Sequence, residues 1–353
     1  MNMHQSSRGA VLVATLLLTG AGCFSGGSGT SAGGVWQSDD GGQSWTATNA
    51  LPSATGVGSI SETDIIAVEH DPEDASAVYI GTSSNGLLYS LDGGLVWMRP
   101  EDEEIRKGAV LAIEVDPTDV CTYYVLKTSR VAKTTDCGRS FNTESYVETQ
   151  TDEDLTAMVL DWYNPKILWL GNSSGDVMRS SDSGKTWTTI ERVNGDVTSI
   201  IVSNADSRIV MVGTRNKGMY RTIDSGATWT EFEDTLKDFK DSDKVLSFSQ
   251  TNDGTTVIMN SDYGLLISDD SGATWSGVSL LTARGEVDIL SAVVAPTNGD
   301  VIMYATSNTF YRSTSRGSAW ETSEVPSGRS VGVITVNPAN EEAVILGTVT
   351  PEE

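Results

Sequence analysis

Short apolar runs recur along the chain, each ended by a turn rich in Asp, Gly, Asn or Pro. Ile65 to Glu69 is followed by Asp71-Pro72-Glu73-Asp74, Val78 to Thr82 by Ser83 to Gly86, and Leu87 to Ser90 by an Asp-Gly turn before Val96 to Arg99. Short, evenly spaced runs rich in β-branched residues predict strands joined as an antiparallel meander. The same order returns with Asp116-Pro117 before Tyr123 to Leu126, Asn164-Pro165 before Ile167 to Leu170, and Ala295-Pro296 before Val301 to Ala305. Each unit therefore reads as one small four-stranded sheet that needs neighbours on both faces.

The turn between the third and fourth strands carries a repeated phrase, Ser/Thr-x-Asp-x-Gly-x-Ser/Thr-Trp. Its closing aromatics are Trp45, Trp97, Phe141, Trp187, Trp229, Trp275 and Trp320, spaced 42 to 52 residues apart. A period of that size signals a propeller or a solenoid. Val331 to Val336 and Ala343 to Thr348 supply two inner strands with no phrase after them, while Gly34 to Trp45 supplies two outer strands with no inner ones. Joined, the fragments make one unit. The expectation is an all-β fold: a single seven-bladed β-propeller of four-stranded antiparallel blades over residues 35–349, closed by sharing one blade between N- and C-terminal strands, which pairs edges otherwise left open.

The phrase residues suit a structural role. The carboxylates of Asp40, Asp92, Asp136, Asp182, Asp224 and Asp270 can accept backbone N–H groups just ahead of them, and Gly supplies a conformation costly for other residues. Each Trp can bury roughly 150 to 250 Å² between sheets. Phe141 replaces Trp in the third phrase and Ser315 replaces Asp in the seventh, so those turns should be less firmly fixed.

Residues 1–22 have one basic side chain, Arg8, an apolar run from Ala10 to Leu18, and the small residues Gly20-Ala21-Gly22 before Cys23. That is the pattern of an export signal. The position of Cys23 resembles the lipobox of bacterial lipoproteins, although Gly20 stands where that motif has Leu; an ordinary cleaved signal is the alternative. Residues 23–34 then read as a lipidated Cys and a Gly/Ser tether, and the chain as an exported lipoprotein of the cell membrane or outer surface, facing periplasm or exterior. Cys121 and Cys137 flank the hairpin turn near residue 129 and should form a disulfide, a bond that an exported compartment permits.

With 23 basic and 48 acidic side chains the formal charge is −25. Such a chain repels phosphate backbones, which excludes nucleic acid as an expected partner. A basic or membrane-associated protein partner fits the charge better, the membrane being reached through the lipid.

The phrases resemble Asp-box repeats, also called bacterial neuraminidase repeats, from about Gly33 to Thr348. Sialidase, xyloglucanase and sortilin propellers share them, as do the photosystem II assembly and stability factors, which the chain resembles most in size and in forming a single ring. The resemblance implies a propeller and leaves function open. The Phe-Arg-Ile-Pro tetrapeptide usual in sialidases is absent, and a xyloglucanase-like cleft needs two propellers where this chain has material for one.

In the expected fold the links between blades lie on the face opposite the Asp boxes. They are acidic: Glu101 to Glu104; Glu144, Glu148 and Asp152 to Asp154; then Glu231, Glu233, Asp234, Asp238, Asp241 and Asp243. Asp64, Asp154, Asp196 and Asp288 each precede an inner strand, making them a candidate site for a divalent cation or a basic partner group, with no firm metal assignment. No cofactor is expected. His70 is the one histidine besides His4, and its place beside a turn reads as surface. No zinc-spaced cluster, phosphate loop or serine elbow occurs. The reading is a non-enzymatic binding or assembly scaffold; the alternative is a carbohydrate-active propeller, a glycan binder or a glycosidase, marked by exposed aromatics in a groove and a close carboxylate pair.

Overall fold

The computed structural model describes residues 32–283 and 287–351. They form seven antiparallel blades in a ring, six of four strands and one, blade 1, of three strands and a bridge. We number the blades by their inner strands: Ile65–His70, Ala112–Val115, Leu155–Leu160, Val197–Val202, Val245–Gln250, Ser291–Ala295 and Ser330–Asn337. Blade 7 is the shared one. Its inner strands Ser330–Asn337 and Asn340–Val349 are completed by Val35–Ser38 and Thr46–Ala47, with Trp36 opposite Leu346. Closure through the termini leaves no sheet needing a second molecule to cover it.

The second strand of each blade is the most buried. Val78–Thr82, Leu168–Asn172, Val210–Thr214 and Val257–Ser261 have every residue buried, as a strand covered on both faces requires. The core follows as a set of apolar clusters between neighbouring blades. One joins Met211 and Met219 of blade 4 to Val257, Met259 and Trp275 of blade 5.

Box aromatics reach backward to the preceding blade. The indole N–H of Trp97 donates to Thr48 O at 2.7 Å, that of Trp187 to Ser145 O at 3.0 Å, and that of Trp320 to Ser279 O at 2.7 Å. Trp45 meets Phe310 edge-on with centroids 5.2 Å apart, and Trp229 meets Trp169 at 6.1 Å. Trp97 and Trp275 are buried; the others are partly covered.

Within each turn the carboxylate acts as expected. Asp40 accepts from Gln43 N at 3.0 Å, Ser44 N at 2.8 Å and Ser44 Oγ at 2.6 Å, while Ser38 Oγ accepts from Gly42 N at 2.7 Å. These bonds hold the Asp40 carboxyl down at about 2, with Ser44 the largest contributor; Asp136, Asp182 and Asp224 behave alike. Two consecutive left-handed residues make the turn: φ is 69° and 90° at Gly41 and Gly42, and the first site also takes Cys137, Ser183, Ser225, Ser271 and Arg316. The second is Gly in every box, and in most of them the previous blade packs against it: a Cβ at Gly42 would lie 2.2 Å from Phe310 and one at Gly272 2.1 Å from Met211, whereas at Gly138 it would meet Tyr123 of the same blade. In the seventh box Ser315 keeps a weaker version, accepting from Ala319 N at 3.0 Å.

Blade 1 departs from the expected pattern. Its fourth strand shrinks to a single bridge between Tyr89 and Met98, because Val96 and Trp97 pair instead with Ala50, in a hairpin of Ala50–Ser53 and Gly56–Ser59. Cys121 and Cys137 are bonded. They join the turn after the first strand of blade 2 to its box turn, a junction that other blades make by one hydrogen bond, such as Gly93 N to Ser76 O at 2.8 Å or Ser183 N to Lys166 O at 2.9 Å. Cys23, the 1–22 signal and most of the 23–34 tether lie outside the described residues.

Trp97→Ala should lower unfolding stability by about 3 to 5 kcal/mol in a urea titration, since it empties a fully buried site. Replacing Cys121 and Cys137 by Ser should lower it by about 3 kcal/mol, and thiol labelling of the unreduced, denatured chain should leave both cysteines unreacted.

Candidate functional site

Hydrogen bonds between first turns and box turns put both on one face, the box face, and the inter-blade links on the other. On the link face much of the acid is already engaged. Glu103 pairs with Lys107 at 3.1 Å, Glu148 accepts from the Tyr146 hydroxyl at 3.1 Å, Glu153 from Asn172 at 2.9 Å, and Glu231 from the Tyr220 hydroxyl at 2.9 Å.

Three of the four Asp residues before inner strands share one backbone role: the carbonyls of Asp64, Asp154 and Asp196 accept from Ser83, Ser173 and Arg215 at 2.8 to 3.0 Å, whereas Asp288 stands three residues before its strand, Ser291–Ala295. Their side chains differ. Asp64 is held by Arg329 at 3.0 Å and by Thr350 N and Oγ1 at 2.8 and 2.9 Å, and Asp196 pairs with Arg215 at 3.1 Å. Asp154 and Asp288 are exposed. Among the described residues no three His, Cys, Asp or Glu side chains gather so as to hold a metal ion.

The larger concavity lies at the other end of the channel. A cavity of about 760 Å³ opens on the box face, walled by the ends of the inner strands and the turns that follow them. One register position recurs on the inner strands, the residue opposite the second-strand position that follows the partner of the box Ser/Thr, and five of its seven members, Glu69, Ile201, Ser249, Val293 and Thr335, line the cavity. It is Glu69 opposite Tyr79 in blade 1 and Glu114 opposite Tyr124 in blade 2. Blades 3, 4 and 6 have Val159, Ile201 and Val293 there, and blades 5 and 7 have Ser249 and Thr335. Two adjacent blades thus bring two carboxyl groups into an otherwise uncharged ring.

Burial raises both. Desolvation lifts the Glu114 carboxyl to about 8 against the pull of Leu160 N–H, which it accepts at 3.0 Å. Glu69 is pushed well up by desolvation and then by the charges of Glu114 and Asp71. Its carboxylate has no hydrogen-bond or ion-pair partner among the described residues. His70 corrects the sequence reading: it is 7% exposed, both ring nitrogens lack a hydrogen-bond partner, and burial pulls its pKa down to about 4. Sequence periodicity marks Glu69 and Glu114 only as polar residues in apolar strands; their pairing needs the blade order. Above the cavity rim Trp162 is 50% exposed and neighbouring Tyr163 61% exposed, with the Tyr163 hydroxyl bonded to Asn204 O at 2.6 Å.

The family model described as photosynthesis system II assembly factor YCF48 matches residues 18–211, more than half of the chain. The chain belongs to this family. A sortilin, neurotensin receptor 3 model matches residues 175–264 of the same YCF48-type propeller. A vacuolar protein sorting/targeting protein 10 of Komagataella phaffii is 29% identical over 116 residues, 31% of this chain and 8% of that relative. Among solved structures, the GH74 enzyme of Niastella koreensis matches with a TM-score of 0.64 at 17% identity, over 81% of this chain and 51% of that one. YCF48 from Cyanidioschyzon merolae matches at 0.61 and 15% identity, over 85% of this chain and 98% of that one. YCF48 bound to a D1 peptide matches at 0.61 and 15%, over 82% and 94%. At these identities the structural matches show the fold. The chain spans about half the length of the GH74 enzyme and a small fraction of the vacuolar relative.

Glu69 and Glu114 hold protons in the folded chain that the unfolded one, with glutamates near 4.5, releases. Their contribution to stability is full below about pH 4.5 and is lost as pH rises toward 8. His70 acts in the opposite sense, weakening the fold as pH falls from 6.5 toward 4. Replacing both glutamates by Gln should therefore remove the decline above pH 5: the Tm of the wild type minus that of the variant should fall between pH 5 and pH 8.5, and a constant difference would count against the raised carboxyls.

Proposed function

We propose that this chain is an exported, lipid-anchored scaffold that engages a protein partner through one face of its propeller and carries out no chemistry of its own. The observation that carries the reading is the match to YCF48: family membership over residues 18–211, together with a single ring whose extent corresponds to nearly all of the YCF48 chains. One of those chains is bound to a peptide of the D1 protein, so a propeller of this size can present a peptide-binding surface. Export and anchoring are supported by the apolar run before Cys23 and by the Cys121–Cys137 bond, a type favoured in oxidising compartments.

A second reading has its own support. Trp162 is exposed beside a cavity that also holds Glu69, and aromatic platforms beside carboxylates are how glycosidases and lectins meet sugars. One feature favours the scaffold: the two glutamates stand on the inner strands of adjacent blades, both with raised carboxyls, whereas a glycosidase needs one acid kept protonated and one ionised across the sugar.

Cross-linking the anchored chain in its own membranes, followed by affinity capture, should recover a defined membrane or secreted protein. Capture of polysaccharide alone, or release of reducing sugar from xyloglucan that is lost in Glu69→Gln, would move the assignment to the second reading.

A further inference from the structure

The box-face mouth of the channel has a charge pattern that folding does not require. Glu69, Asp71 and Glu73 contribute to its lining and no Lys or Arg does; of four smaller cavities, those at Lys244 and Asp262, at Lys133 and Lys185, and at Lys237 and Lys240 contain a base, and the one at Asp39 and Asp40 does not, its Asp40 carboxylate being held by the box turn. At the shared register position, Ser249 of blade 5 accepts the backbone N–H of Val294 in blade 6 at 3.1 Å, just as Glu114 of blade 2 accepts that of Leu160 in blade 3. Of these two groups that accept from the next blade, the hydroxyl does so without charge, and blades 3, 4 and 6 do without an acceptor there. Glu69 does not perform even that task. His70, more than nine-tenths buried and lining the same cavity, leaves both ring nitrogens unused.

Ionising a carboxyl group in a partly desolvated wall is costly unless a cation pairs with it. A metal ion suits the site poorly, since among the described residues no three ligating side chains gather there and the volume far exceeds an ion. A neutral sugar would cover the wall but offer nothing to pair with an ionised Glu69. The rest of the lining mixes uncharged polar groups, Ser249, Gln250, Asn252 and Thr335, with an apolar share that includes Phe248, Val293, Pro296, Pro338 and the half-exposed Trp162. That combination matches a long side chain with an aliphatic stem and a cationic head.

We propose that the box-face mouth receives a lysine or arginine side chain from an extended segment of a partner protein, with Glu69, backed by Glu114, meeting the cationic head and Trp162 covering the stem. The identity of the occupant as a protein segment rests on the scaffold reading; the cation-accepting site does not. Arrival of a cation draws the proton off Glu69, so binding should release protons. The titratable groups around Glu69 are Glu114 across the blade boundary, Asp71 and His70 beside it, and Tyr79 opposite it.

The test uses the folded mature chain and an acetylated tetra-arginine amide carrying a fluorophore, read by anisotropy at 150 mM salt. Because the link face is also acidic, two sets of variants are compared. Glu69→Gln with Glu114→Gln should weaken binding at least tenfold and Trp162→Ala at least threefold, while Glu101→Gln with Glu103→Gln and Glu104→Gln should change it less than twofold. Trp162 is half exposed, so its variant remains a test even where the glutamate pair alters stability. Calorimetry in two buffers of different ionisation enthalpy should show proton release that disappears in the Glu69→Gln variant. Binding unaffected by Glu69→Gln with Glu114→Gln and by Trp162→Ala, or abolished by the link-face variant, would overturn the site. Displacement of the peptide by a xyloglucan oligosaccharide at equal concentration would overturn the cationic occupant. Failure of the membrane capture with the peptide result intact would remove only the protein source of the cation.

Discussion

A four-stranded blade has two apolar faces and no means of covering either by itself. Everything else in this chain follows from the need to bring a neighbour to each face. A ring answers it, because the last blade covers the first, and here the ring is tied shut by pairing Val35–Ser38 with Asn340–Val349 inside one sheet. The box aromatics make that solution specific. Trp45 of the closing blade sits on Phe310 of blade 6, and the Ser323 hydroxyl of blade 6 donates to Gly42 O. Closure therefore uses the same contact as every other junction.

This dependence explains which features were legible in sequence. The Asp-box turn is a local device: its hydrogen bonds span two to four residues, so its residue types and spacing reveal it directly. The second Gly of each box was legible as a turn residue, but its reason was not, since the atom excluding a side chain lies outside the box, in most cases in the neighbouring blade. The hairpin at Ala50–Ser59 was missed for a related reason. Its partner is Val96, and no pattern within residues 50–59 shows that it will take the place of an outer strand.

The candidate site was legible only in part. Asp64, Asp154 and Asp196 each stand directly before an inner strand and share a backbone bond there, while Asp288 lies three residues ahead of its strand; Asp64 and Asp196 have their charges matched by Arg329 and Arg215. His70 lies at a strand end beside a Pro turn, a context that usually means exposure. The ring instead folds neighbouring blades over it. A central channel is a long-range object, and its contents depend on which of two alternating faces each inner strand turns inward.

Charge placement separates the two faces more sharply than charge number does. The link face carries longer acidic runs, but many of those carboxylates accept from a nearby hydroxyl, amide or lysine, and open surface leaves the rest well hydrated, so little free energy remains for a partner to gain. The channel mouth carries fewer, in a wall that no Lys or Arg lines. The energy available from meeting a charge depends on how poorly that charge was satisfied beforehand. Glu69, raised by burial and then by neighbouring acids and with no hydrogen-bond or ion-pair partner among the described residues, is by that measure a responsive group. It was visible from the start as one acidic residue at the end of a strand, and only the adjacency of blades 1 and 2 makes it a site.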